Sequence, residues 1–126
     1  MIGSSRAVRV FAFTLPTDMR KGYNGLEGLV RNELHRDLLE GDLFLFVSRN
    51  RKRAKVLLFD GTGMCIYMKR LEKGRFAPLR CRDGGNQVVL TTSELSLFLE
   101  GSEYVGRRPL SPPAITSKDL AVFSRV

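Results

Sequence analysis

The sequence predicts an α+β fold in one domain: a mainly antiparallel sheet of about five strands with two helices packed on it. Three observations carry this. With 126 residues, 43% of them hydrophobic and 27% charged, the chain suits one core and is short for two. Short runs of β-branched and aromatic residues recur between tight turns rich in glycine and asparagine. Two other segments space their leucines at helical intervals.

The first strand is expected in VRVFAFTL, Val8 to Leu15, which stops at Pro16. A loop, PTDMRKGYNG, follows. Asn24 is placed to cap a helix, with Glu27 three residues on to complete a reciprocal cap. Leu26, Leu29, Val30, Leu34 and Leu38 share one face of that helix, Glu27 and Arg31 pair on another, and Gly41 marks the limit it should not pass. Gly25 and Gly28 weaken its first turn, by up to ~1 kcal/mol each relative to alanine.

The pattern then becomes β. LFLFV (Leu43 to Val47), the basic turn SRNRKR and AKVLLFD (Ala54 to Asp60) form a hairpin with a charged tip. Asp60-Gly61-Thr62-Gly63 turns into MCIYMKR, Met64 to Arg70, and Glu72-Lys73-Gly74 into RFAPLRCR, so that Leu43 to about Arg80 reads as an antiparallel meander. LFLF and VLL are apolar on both faces, as in central strands with helices over one side and a partner as a candidate cover for the other. Asp83-Gly84-Gly85-Asn86 leads into the strand QVVL. The second helix has the clearest local signature: Thr91 as N-cap, Glu94 closing the box, Leu90 and Leu95 as a hydrophobic staple, Leu95, Phe98 and Leu99 as the buried stripe, and Gly101 as the stop. The domain is expected over 1–104. The tail, 105–126, holds three of the five prolines and is poorly suited to a ladder.

The formal charge is +8, and its placement says more than its size. Between Arg49 and Arg82 stand eleven Lys and Arg against only Asp60 and Glu72, a net +9, while the rest of the chain nets −1. Solubility alone scatters charge over a surface; a segregated positive field suits a polyanion, and nucleic acid is the commonest one in the cytosol. The tip RNRKRAK holds Arg49, Arg51, Lys52, Arg53 and Lys55, and a second basic group, Lys69, Arg70, Lys73 and Arg75, recurs one hairpin away. In a meander the turns at 49–53 and 71–74 fall at the same end of the sheet, so the two groups should share a rim. Such a rim could grip backbone phosphates through guanidinium forks and ammonium charges; the plainer reading is a solvated turn that discourages edge aggregation. Arg20 and Lys21 are candidates to extend the surface, the plainer reading being that Asp18 and Arg20 close the loop by local hydrogen bonds, whereas Tyr23 is better placed under the helix than stacked on a base.

Other chemistries find little support. Cys65, Cys81 and the lone His35 make no metal quartet, and the cysteines read as free thiols of a reducing, cytoplasmic compartment. No apolar run approaches the ~20 residues of a membrane-spanning helix, and the N-terminus lacks a signal-peptide pattern. No P-loop, nucleophile elbow or other catalytic constellation is present, and no cofactor is implied. A nuclease would need carboxylates converging on metal, for which only the turn residues Asp18, Asp60 and Asp83 offer themselves.

Three segments in fixed order, TDMRKGYNGLEGLV, GDLFLFVSRNRKRAKVLLFDGTGMCIYMKRLEKGRF and LTTSELSLFLEG, resemble the TnpB, or second-open-reading-frame, family of accessory proteins of insertion-sequence-66 transposons, over roughly Val8 to Glu103. Arg20, Lys21, Lys69, Arg70, Lys73 and Arg75 match the family's basic positions; Asn24 stands where the family usually has Asp, and Leu58 and Cys65 where it often has bulky aromatics. The resemblance implies a protein that assists a separately encoded transposase holding the catalytic acids. The expectation is therefore a non-catalytic, DNA-binding transposition factor whose partners are transposon DNA and transposase. The alternative is a protein–protein adaptor that docks on the transposase through an apolar sheet face or the proline-containing tail.

Overall fold

The computed structural model describes residues 7–101, and their backbone hydrogen bonds build one five-stranded sheet. In chain order the elements are β1 (Val10–Phe13), α1 (Tyr23–Asn32), a 3-10 turn (Leu38–Glu40), β2 (Leu43–Val47), β3 (Arg53–Phe59), β4 (Met64–Arg70), β5 (Gln87–Leu90) and α2 (Thr92–Leu99). The strands lie in the order β4-β3-β2-β1-β5. β1 and β2 run parallel because α1 carries the chain back between them, with Phe11 opposite Phe44; every other pairing is antiparallel. The expected α+β architecture is present, and the meander is β2-β3-β4.

Alternation along the strands sorts side chains onto two faces, and the chain covers both. On one face Phe11, Phe13, Phe44, Phe46 and Leu57 pack under Leu26, Val30, Leu34 and Leu38. On the other, Val10, Ala12, Leu45, Val56 and Leu90 lie under Leu95 and Phe98 of α2 and under Phe76, whose ring stacks on Phe98 at 5.2 Å. The helices thus occupy opposite faces. The double-sided apolar pattern of LFLF and VLL comes from this sandwiching, and no partner is needed over the second face.

Four local expectations are corrected. The first strand is four residues, fully buried, rather than eight: Leu15 is exposed, and after Thr14 the chain turns so that the Thr17 amide donates to the Val47 carbonyl. The N-cap of α1 is Gly22, with no side-chain cap bond, and Asn24 lies inside the first turn. The helix stops at Asn32 instead of running toward Gly41, because His35 takes a left-handed φ of 56° and the Leu34 and Arg36 amides fold back onto the Leu29 and Val30 carbonyls. Leu34 and Leu38 are nonetheless buried on the α1 face, the second through the 3-10 turn that Asp37 caps and Gly41, at φ 94°, closes. Finally, RFAPLRCR forms no ladder strand. Pro78 has no amide to offer, and the segment instead crosses the α2 face from one sheet edge to the other, burying Phe76 and Ala77. The second helix follows its signature closely: Thr91 and Glu94 form the reciprocal cap, and Gly101 has φ 81°.

Candidate nucleic-acid interface

The tip of the β2–β3 hairpin is shaped by its own polar groups. Asn50 Oδ1 accepts from the Ser48 hydroxyl (2.8 Å) and the Lys52 amide (3.1 Å), while Ser48 Oγ accepts from the Arg53 amide (3.1 Å). Arg51 adopts φ 59° to complete the turn. With the turn held from inside, Arg49, Lys52 and Arg53 are left facing solvent.

The second basic turn is stitched to the first. The Leu71 amide donates to the Lys52 carbonyl at 2.8 Å, the Phe76 amide to the Arg51 carbonyl at 2.7 Å, and Arg51 Nη1 to the Phe76 carbonyl at 3.3 Å. The two groups therefore share one rim, as the meander requires. An open groove of about 390 Å³ crosses the seam, lined by Asn50, Lys52, Gly74 and Arg75. Lys73 is exposed beside it. On the other side of the tip, Arg49 and Arg51 stand at a cleft of about 180 Å³ walled by Phe13 to Pro16 and Ala77 to Leu79. Burial, and then the like charges of Arg75 and Arg80, draw the Arg51 guanidinium below its usual pKa.

Other cations of the basic run serve the fold. Lys55 is buried, and its ammonium donates to the Met19 and Lys21 carbonyls at 2.8 Å each, strapping the TDMRKG loop onto β3. Lys69 Nζ donates to the Leu99 carbonyl at 2.7 Å, where the C-terminal end of α2 favours a cation. Arg70, directly opposite Arg53 in the β3–β4 register, turns to Glu72. Arg20 forks onto Asp18 and is thereby offset, and that carboxylate is lowered to about 2 by Arg20's side-chain and backbone hydrogen bonds. Lys21 is exposed in the same loop, and Tyr23, expected under the helix, is instead half exposed as the first residue of α1. Sequence reading missed Arg80, whose charge reaches Arg51, because RFAPLRCR was expected to be a strand; its membership of the basic segment was the available signal. It also missed Asn50 as the organiser of the tip, although an asparagine between arginines in a turn pointed to it.

The carboxylates weighed for metal chemistry are each committed elsewhere and do not converge. Asp60, at the end of β3 away from the rim, accepts from the Thr62 amide and hydroxyl and the Gly63 amide, which lower it to about 2. Asp83 accepts from the Cys81 thiol and the Gly85 amide. Among the described residues no group of three His, Cys, Asp or Glu side chains could hold a metal ion, both cysteines are free, and no helix is long and apolar enough to cross a membrane.

Comparison with known proteins places a family likeness on this frame. The model of the IS66 Orf2-like proteins matches residues 8–108. The chain is 36% identical over 115 residues to the uncharacterized protein y4jC of Sinorhizobium fredii, covering 90% of this chain and 97% of that one. It is also 36% identical over 104 residues to the uncharacterized protein y4hO of the same organism, covering 82% and 89%. No solved structure matches.

Proposed function

The chain belongs to the IS66 Orf2-like protein family, accessory proteins of insertion-sequence transposition, and from that premise we propose that it is a non-catalytic DNA-binding factor that assists a separately encoded transposase. The observation that carries the proposal is the joining of two basic turns by backbone hydrogen bonds into one rim, from Arg49 to Arg75. On this reading Arg49, Lys52, Arg53, Lys73 and Arg75 hold phosphates across the open groove. Arg51 fixes the rim's shape, and Lys21 borders it. Lys55, Lys69, Arg70 and Arg20 contribute through the fold or are offset by acids.

Phosphate contacts position a protein on DNA without reading sequence, so selectivity for transposon ends would come from DNA shape or from the transposase. The setting is the cytoplasm, where element DNA and transposase meet. An adaptor that does not touch DNA is the weaker reading, since helices and the 71–81 segment cover both faces of the central strands; its other support, the proline-containing tail, lies outside the described residues.

The test is binding of a labelled duplex at several salt concentrations. Five phosphate contacts give a log–log slope of about −4.5. A slope near zero, or no binding at micromolar protein in low salt, overturns the proposal. Co-purification with the transposase that survives nuclease treatment in such a protein would favour the adaptor.

A further inference from the structure

We infer that the outer edge of β4 joins two copies of this chain, antiparallel, into one continuous sheet. Among the described residues β4 ends the strand order and nothing pairs with its far side. Backbone accounting shows what that side offers. The Asp60 amide donates to the Gly63 carbonyl just before β4, and the Leu71 amide to the Lys52 carbonyl just after it. These bonds, with the register of Tyr67 opposite Val56, put Cys65, Tyr67 and Lys69 in the hydrogen-bonded pairs with β3. The amides and carbonyls of Met64, Ile66, Met68 and Arg70 therefore point outward, along a seven-residue strand without proline. The opposite edge, β5, has only four residues.

Charge selects the occupant and the direction. Lys69 and Arg70 sit at one end of β4, and the other end is uncharged. Parallel pairing would set Arg70 beside its own copy. Antiparallel pairing about Tyr67 sets Arg70 against Met64 of the second copy, Lys69 against Cys65, and Met68 against Ile66, so each strand is complementary to itself. The side chains suit this: Tyr67 is 51% exposed and Met68 49%. The two tyrosines would meet across the axis on the α2 face, and Met68 would pack on Ile66 of the second copy on the α1 face. The basic rims then stand at opposite ends of a ten-stranded sheet. The inference rests on β4 alone and stands whether or not the rim binds DNA.

Sedimentation of the full chain across micromolar to submillimolar concentrations tests it, with a concentration-dependent dimer expected. Met68→Pro removes an outward donor without breaking a bond to β3, because edge strands accept proline at such positions; it should weaken the dimer at least tenfold. To guard against misfolding of that variant, Tyr67→Cys is made in a chain carrying Cys65→Ser and Cys81→Ser. A non-hydrogen-bonded pair places the two Cα atoms ~4.5 Å apart, within disulfide reach, so mild oxidation should link the copies, whereas Thr62→Cys in the same background should not. A monomer at every concentration, a dimer indifferent to Met68→Pro, or equal cross-linking through residue 62 overturns the inference.

Discussion

Lys55 shows how a cation inside a basic run can belong to the fold. Its place on β3 was legible in the sequence, but two carbonyls waiting over that face were not, since they come from a loop more than thirty residues away. Lys55→Met keeps the stem and removes the ammonium, leaving both carbonyls to find water. A loss of about 2–3 kcal/mol in chemical denaturation is expected, with the salt slope of DNA binding unchanged. A drop of ~0.9 in that slope would instead put Lys55 on a phosphate. Asp60 makes the complementary point about acids. Its amide donors hold the folded carboxylate at about 2, below its ordinary 3.8, so the stability it contributes is fully present above about pH 4 and is lost as pH falls through about 2. Asp18 behaves alike through Arg20. In Asp60→Asn, acid titration of stability between pH 4 and 2 should therefore be shallower than in the parent chain.

The elements differ in how locally they are specified. For α2 every cue is local, with cap, box, staple and glycine stop within twelve residues, and the sequence determines it. Thr91→Ala should accordingly cost about 1 kcal/mol, read from the urea midpoint at constant slope. For α1 the start is set by a docked loop, with Gly22 as an N-cap lacking a side-chain bond, so the Asn24–Glu27 pattern pointed two residues too late. RFAPLRCR failed as a strand for a related reason. Its apolar residues suit a strand, yet the Phe76 amide is taken by the hairpin tip and the Phe76 ring by Phe98. Phe76 thus ties the second basic turn to the core. Phe76→Leu should lower stability by roughly 1–2 kcal/mol and also weaken DNA binding, through loss of rim geometry rather than of charge.

At the scale of the whole molecule, the question is whether DNA would respond to net charge or to its arrangement. The chain carries +8 overall, but the segment between Arg49 and Arg82 nets +9, and meander topology folds its two turns onto one end of the sheet. That much could be read from turn spacing. Which cations are engaged elsewhere was legible only in part: Asp18 lies two residues from Arg20 and Glu72 two from Arg70, but the carbonyls that hold Lys55 and Lys69 are brought near by the tertiary fold alone. The two possibilities separate in one experiment. Replacing Arg49, Lys52 and Lys73 by alanine removes three charges from the rim, and the salt slope should become shallower by about 2.7. Removing the same number at Arg9, Arg31 and Arg36, away from the hairpin tip, changes net charge equally. Since Arg9 pairs with Asp42, Arg31 with Glu27, and Arg36 lies over the Phe11 ring, that variant should lose stability while its slope stays near that of the parent. Equal loss of slope in both would mean that DNA senses only total charge, and the rim would have no special standing.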